Sequence, residues 1–429
     1  MQVLAPQNAK DRFEVYRFFN GVSQESTEAA DRRTARVPLV KTFLIEHAAD
    51  RCNKRAKAPA EIFSQLGVGV RQIDDTFMSA TCTVVDPESK KPSQQVTGFV
   101  EIFDERFFAY YTCETSALAQ KRIARWVHSP DLDYTWFSSP LLMALWEKDV
   151  ATSGSDRFSK LVFRYESIFD MPGDFSMCGS TDSEDDDEED TVDGIEEEVG
   201  EEKCEYERRK ARFEMSDRIG KIRASLASLQ QNYDPLNALY ALRIPNHAGR
   251  GGNDLYQNGQ VTNRTDSFEA HRNAVRYLYR IYHSVLVTTE QSAWPAATPQ
   301  PSYGTGAKGA PLIIRFEEPL SEATFDQWVK MAFQKRNRFK LWGDPIRLGA
   351  TTVHVYGADR HLWQPINLEL TATGLVAILP QGTCGNTFHR LVANVQHYLS
   401  PKITVWIGDR KFEDIVSEWH ASPEDGHEN

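Results

Sequence analysis

The sequence predicts an α+β protein with two α/β-type domains flanking a helical middle segment. Its 429 residues exceed the length at which a single core keeps growing. Hydrophobic residues make up 41 % and aromatic residues 11 %, enough to fill more than one core. The block Thr181–Glu202 divides the chain, with fourteen Asp and Glu and no Lys or Arg. Without it, 49 basic side chains face 47 acidic ones, so the net charge of −12 resides in this one segment. Such a block buries no apolar surface and is expected to be solvated and disordered. The expected boundaries are an N-terminal α+β domain over 1–175, an acidic linker over 176–203 and a helical middle segment over 204–290. A Pro/Gly linker over 291–310, a C-terminal α/β domain over 311–420 and a tail over 421–429 complete the chain.

Within the first domain, Val37 to Lys57 reads as a helix ending before Pro59. The β-branched run 67–85 reads as two short strands, and 95–103 with 106–112 as a hairpin turning at Asp104-Glu105. Thr115 or Ser116 caps a helix to Val127; Ser139 and Pro140 open another. Residues 160–169 close the domain as a strand. After the acidic block, Ile219, Ile222, Leu226, Leu229, Tyr233 and Leu236 recur at gaps of three and four, the apolar seam of a helix. Residues 243–266 form a Gly- and Asn-rich polar loop. Asp266 or Ser267 then caps a helix to about Val287. In the last domain the order is strand 312–316, helix 321–335, strands 351–356, 366–371 and 374–379, helix 387–399 and strand 402–407. That split β-α-β layout is compatible with a ferredoxin-like sheet carrying insertions.

The loop 243–266 is the leading candidate site. It carries His247, Arg250, Asp254, Tyr256 and Arg264 among glycines, and amides with arginines suit an anion such as phosphate. A surface loop using Gly and Asn only to turn is the alternative. On the following helix Phe268, His271, Val275, Leu278, Tyr282 and Val285 share the buried face at 100° per residue. His271 is therefore expected in the core. Arg272, Arg276, Arg280 and His283 form a stripe on the flank. Like charges at i, i+4, i+8 repel unless anions or carboxylates lie between them. The stripe would thus track phosphates, with Tyr277 and Tyr279 placed to stack bases, or else pair with acids elsewhere in the fold. Arg276 and His283 also match R-x(4–6)-H, a spacing similar to that of the HEPN helical ribonucleases. Five such pairs occur here, where random placement gives about two to three, so the spacing alone discriminates little.

A third candidate is Gly382-Thr-Cys-Gly385 before a helix, superficially like a phosphate-binding loop, but with Asn386 where the lysine would stand. Cys384 there could have a lowered pKa and His389 could pair with it. No metal and no cofactor are expected: the chain lacks HExxH, a cysteine cluster and GxGxxG or GxSxG in context. The six cysteines read as free thiols. No apolar run reaches the roughly 18 residues of a membrane span. The start also lacks signal-peptide layout. A cytoplasmic protein without membrane association is therefore expected.

These features favour a non-enzymatic adaptor or regulator that binds nucleic acid, or an acidic or phosphorylated protein, through a basic middle surface. Eight Lys or Arg in Lys203–Arg223 directly follow the acidic block, which would act as a tethered competitor, or else only as a solvated spacer between domains. A nuclease or phosphohydrolase centred on His247, Arg250, Asp254, Arg276 and His283 is the enzymatic alternative. It requires these side chains to converge in one pocket. A structural subunit of a larger complex is the third reading.

Overall fold

A computed structural model describes residues 6, 8–32, 38–47, 57–85, 92–151, 154–171, 210–246, 250–300, 304–334 and 337–421. Helix α1 (Arg12–Arg32) precedes strand β1 (Lys41–His47), helix α2 (Pro59–Gln65) and strands β2 (Gly69–Asp74), β3 (Phe77–Val85), β4 (Pro92–Ile102) and β5 (Phe107–Thr112). Next come α3 (Ser116–Trp126), β6 (Leu132–Tyr134), α4 (Ser139–Leu145) and β7 (Phe158–Glu166). Beyond the acidic block lie β8 (Lys210–Arg218), α5 (Ile219–Asn232), β9 (Leu239–Pro245), β10 (Gly252–Tyr256), β11 (Gln260–Asn263) and α6 (Phe268–Ala293). A hairpin of β12 (Ala296–Gln300) and β13 (Gly304–Lys308) leads to β14 (Leu312–Phe316), α7 (Glu322–Ala332), β15 (Leu341–Gly343) and β16 (Ile346–Gly349). The chain continues with β17 (Thr352–Asp359), β18 (Gln364–Thr371), β19 (Gly374–Ile378), α8 (Asn386–Tyr398), β20 (Ile403–Ile407), β21 (Arg410–Lys411) and α9 (Phe412–Ser417).

The protein mixes helices with antiparallel sheet, an α+β architecture. The first sheet runs β2-β3-β4-β5-β1-β11-β10-β9-β7-β8, with β6 also beside β1. Alternation along its strands feeds two apolar layers. Leu44, Phe107, Ala109 and Tyr111 face one layer, which includes Phe19 of α1 and Phe268 of α6. Phe43, Ile45, Phe108 and Tyr110 face the other, with Phe63 of α2 and Trp126 of α3. The second sheet runs β15-β17-β18-β19-β14-β20-β21, with β16 also on β17, and all its pairs are antiparallel.

Several expectations are corrected. Val37–Lys57 was expected as a helix, yet Lys41–His47 is strand β1, flanked by β5 on one side and β11 and β6 on the other. All its residues are buried, so no period-two pattern marks it. The loop expected at 243–266 is mostly sheet: β10 and β11 pair with each other, and with β9 and β1. Its polar residues are buried because other side chains satisfy them. Asn253 meets His271, and the amide of Asn263 donates to Ser23. The linker expected at 176–203 connects two neighbouring strands of the first sheet. Strands β7 and β8 pair directly from Phe158↔Arg218 to Glu166↔Lys210. Residues 167–209 are therefore the connection of a β-hairpin. The acidic block within them lies outside the described residues. The expected linker 291–310 holds the end of α6 and the β12–β13 hairpin. In α5 the seam buries Ile219, Ile222 and Leu226, whereas Leu229 is 40 % and Tyr233 46 % exposed.

Candidate functional site

The arginine stripe lies along α6, as the helical angles require, but it faces carboxylates. Arg272 donates through Nε and Nη2 to Glu101 of β4 at 2.9 and 2.5 Å, and Arg276 Nη2 donates at 2.7 Å. Tyr111 Oη donates to the same carboxylate at 2.8 Å. Burial alone would raise the fully buried Glu101 carboxyl, but these donors hold it below the usual range. The two guanidinium groups also cover the rings of Tyr16 and Phe103. Tyr279 donates to Asp104 at 2.7 Å and packs on Phe103, and His283 Nε2 lies 3.8 Å from that Asp104 oxygen. Tyr277 packs against Trp419. Of the stripe, Arg280 is exposed. Pairing with acids elsewhere in the fold therefore displaces the phosphate-tracking arrangement along Arg272 and Arg276.

The second predicted group is separate. Asp254 of β10 has a side chain only 4 % exposed, gripped by Arg243 at 2.6 and 2.9 Å and by Arg264 at 2.5 Å. Tyr256 is buried in the same strand, and Arg250 is exposed in the β9–β10 turn. His247 lies outside the described residues. Asp254 thus pairs with Arg243 and Arg264, Arg276 pairs with Glu101, and His283 lies near Asp104.

The richest polar cluster takes in the Gly382–Gly385 turn, but no spacing joined that turn to its other members. It lies where the end of β1, the turn before β5, β6, α6, the residues just before β15, the β17–β18 turn and the start of α8 meet. Arg106 donates through Nε to Glu46 at 2.5 Å and through Nη2 to Glu290 at 2.7 Å. The same Nη2 lies 3.2 Å from Cys384 Sγ, and that thiol donates to Glu46 Oε1 at 3.1 Å. Arg390 contacts Asp133 through Nη1 and lies 2.5 Å from Asp359 through Nη2. That second contact is close enough for an ion pair, but its angle is too poor for a hydrogen bond. Lys340 donates to the Leu132 carbonyl at 2.7 Å and sits 3.6 Å from Asp133. Among the described residues, the only non-glycine residues with left-handed backbone are Lys340 (φ 55), Leu362 (φ 65) and Trp363 (φ 50). Each adjoins this junction, at a cost of about 1–3 kcal/mol apiece.

The Gly382–Gly385 turn ends in this cluster, and its amides serve internal acceptors. Cys384 N donates to Gln364 Oε1, and Gly385 N donates to Glu290 Oε1 at 2.9 Å. A Cβ on Gly385 would come within 2.6 Å of Glu290 Cγ, so this close approach requires glycine. Burial, with Glu46 and Glu290 adding to it, pushes the Cys384 thiol well up, the reverse of the lowered pKa expected. His389 shares a hydrogen bond with Thr289 at 3.2 Å, not with Cys384, and burial pushes it down to about 3. Asn386 opens α8 and donates to the Tyr134 carbonyl rather than capping the helix. No short-range pattern could mark this cluster, because its members come from seven separated segments.

A basic edge lies elsewhere. Strand β8 ends the first sheet, and its exposed face carries Lys210, Arg212 and Arg218 with Glu214 between them. Lys221 and Arg223 extend it onto α5, also exposed. Lys210 reaches the buried Glu166 at 3.5 Å, and the exposed pair Lys221–Asp217, also at 3.5 Å, is weak. Among the described residues no helix is long and apolar enough to cross a membrane.

Sequence comparison gives this architecture relatives. A segment of 145 residues is 28 % identical to the uncharacterized protein MJECL33 of Methanocaldococcus jannaschii. The match covers 33 % of this chain and 33 % of that protein, so it spans only a third of the relative's length. No solved structure matches. Residues 5–413, which take in both sheets and the buried junction, match the family described as MJECL33-like protein, and the chain belongs to that family.

Proposed function

We propose that this protein is a non-enzymatic adaptor or regulator that engages nucleic acid, or another acidic or phosphorylated partner, at the basic edge of β8 and α5. The acidic block Thr181–Glu202 acts as a tethered competitor for that edge. The observation that carries the reading is the β7–β8 hairpin. Because Glu166 pairs with Lys210, both ends of the segment holding the block are anchored beside Lys210 and Arg212. An acid tethered there has a high effective concentration at the basic face. A spacer role has less support, since a spacer would join separate bodies and this segment joins neighbouring strands. The order β20-β14-β19-β18, with α7 and α8 as the crossovers, supports reading the C-terminal half as a ferredoxin-like sheet with β15–β17 inserted.

The test is binding of a single-stranded oligonucleotide by the full chain and by a variant lacking Thr181–Glu202. The deletion is expected to fold normally and to bind more tightly at low salt. Replacing Lys210, Arg212 and Arg218 with Ser should reduce the slope of log affinity against log salt by about 0.7 for each phosphate that these side chains neutralise. Unchanged affinity on deletion, with an unchanged slope in the triple variant, would reject this reading. Cleavage of RNA by the wild-type chain, abolished in Arg276→Gln and His283→Ala at unchanged affinity, would put the nuclease alternative in its place.

A further inference from the structure

We propose that Glu46, His361 and Cys384 form a binding site for one divalent transition-metal ion of the zinc class. Their candidate ligand atoms lie within 4.8 Å of one another, and the residues are 1 %, 0 % and 3 % exposed. Bond lengths of about 2.0–2.3 Å place tetrahedral zinc ligands roughly 3.5 Å apart. Cys384 Sγ is 3.1 Å from one oxygen of Glu46, Oε1, and His361 Nε2 is 3.7 Å from the other, Oε2, so thiol and imidazole lie on either side of one carboxylate at separations near that value.

The hydrogen bonding prepares the three groups to act as ligands. His361 Nδ1 lies 3.1 Å from the Pro130 carbonyl oxygen, a group that only accepts, so the ring proton belongs on Nδ1. The Nε2 lone pair then points inward. A carbonyl behind a histidine is the usual way of orienting a metal-bound imidazole. Neither His361 Nε2 nor Glu46 Oε2 has a hydrogen-bond partner among the described residues. Two buried acceptors facing each other are unfavourable without something between them, and a cation bound by both removes the conflict. The consecutive left-handed residues Leu362 and Trp363 directly follow His361, so the backbone is held in an unfavourable conformation where this imidazole is presented.

Charge points the same way. The buried junction holds four carboxylates, Glu46, Asp133, Glu290 and Asp359, and three cations, Arg106, Lys340 and Arg390. When Cys384 binds a metal, its proton leaves to solvent and the S–metal bond takes its place. Five negative groups then face three positive ones, and a divalent ion neutralises the remainder. Arg106 does not oppose this, because Glu290 pairs with its guanidinium at 2.7 Å. Arg106 already donates to Glu46 and keeps that bond, while its Nη2, 3.2 Å from Cys384 Sγ, becomes a donor to the thiolate. The donor set of thiolate, imidazole and carboxylate favours zinc over calcium or magnesium, and leaves a fourth position for water. This site is independent of the basic edge described above.

The full-length chain, stripped by a chelator, would be titrated with Co²⁺ as a probe. The expected result is a thiolate-to-cobalt charge-transfer absorption that saturates at about one equivalent and is displaced by Zn²⁺. Cys384→Ser should lose the band, while Cys82→Ser and Cys113→Ser keep it. X-ray absorption of the zinc-loaded wild-type chain should give one sulfur and otherwise nitrogen or oxygen, which needs no variant to fold. Loose binding to the acidic block would show no sulfur. A wild-type chain without the charge-transfer band, a band that survives in folded Cys384→Ser, or a zinc shell with no sulfur or several would overturn the proposal.

Discussion

Buried histidines make this fold sensitive to mild acid. His271 sits at zero exposure between Thr42 and Asn253, with ring nitrogens 2.7 and 2.6 Å from Oγ1 and Oδ1. The asparagine oxygen can only accept, so Nδ1 carries the proton and Nε2 accepts from the threonine hydroxyl. That neutral ring is fully satisfied, and burial pushes its pKa down to about 3. Burial likewise pushes His389 to about 3 and His47 to about 4. All three lie below the unfolded value near 6.5, so the unfolded chain takes up protons first as pH falls. Their contribution is complete above about pH 6.5 and is lost as pH drops towards 4. Well below pH 6.5 each histidine costs up to about 1.4 kcal/mol per pH unit as pH falls, roughly 4 kcal/mol per unit for the three. Urea unfolding at pH 7, 6 and 5 measures this slope. His271→Gln should lower it by about 1 kcal/mol per unit between pH 6 and 5, and an unaltered slope would mean that His271 is protonated in the folded protein.

At the level of elements, α6 is docked on β4 by a carboxylate. Glu101 is fully buried, and Arg272 and Arg276 reach it from adjacent turns of the helix. Glu101→Gln keeps the shape but strands the Arg272 charge, whose side chain is 16 % exposed. The expected loss is about 3–5 kcal/mol, as for other buried pairs with one partner removed. Arg280→Gln on the exposed flank of the same helix should stay within about 0.5 kcal/mol. Thermal unfolding of the two variants checks the contrast. Comparable small losses in both would show that Glu101 carries no buried ion pair. The start of α6 was legible in the sequence, because a cap is a local device: Ser267 accepts from Ala270 N at 3.1 Å; Ser139, expected as a cap, is instead the first residue of α4, after Ser138. Strands β10 and β11 were not legible. Their Asn253, Asp254, Gln260 and Thr262 have a loop's composition, and only partners from distant segments make burying them tolerable.

Across the whole molecule, α8 joins the two sheets. All thirteen of its residues are buried, polar ones included. Arg390 on this helix contacts Asp133 from the first sheet and Asp359 from the second. The two halves are therefore expected to unfold in one calorimetric transition, and Arg390→Gln to lower it by about 3–5 kcal/mol without splitting it. Two resolved transitions in the wild-type chain would show independent halves. By itself the sequence determined the α+β class, the hairpin of β4 and β5, the order β14-α7 and β17-β18-β19-α8-β20 though not the short β15 and β16 between them, and the exclusion of a membrane-spanning helix among the described residues. Each follows from periodicity or capping within a short window. Only the tertiary structure decided that β7 pairs with β8 across the acidic block, that the arginines of α6 meet Glu101, and that Glu46, His361 and Cys384 converge. Those pairings join positions up to 338 residues apart. Burial and partner geometry, which no local pattern encodes, decide whether a charged side chain is a surface contact, a strut or a ligand.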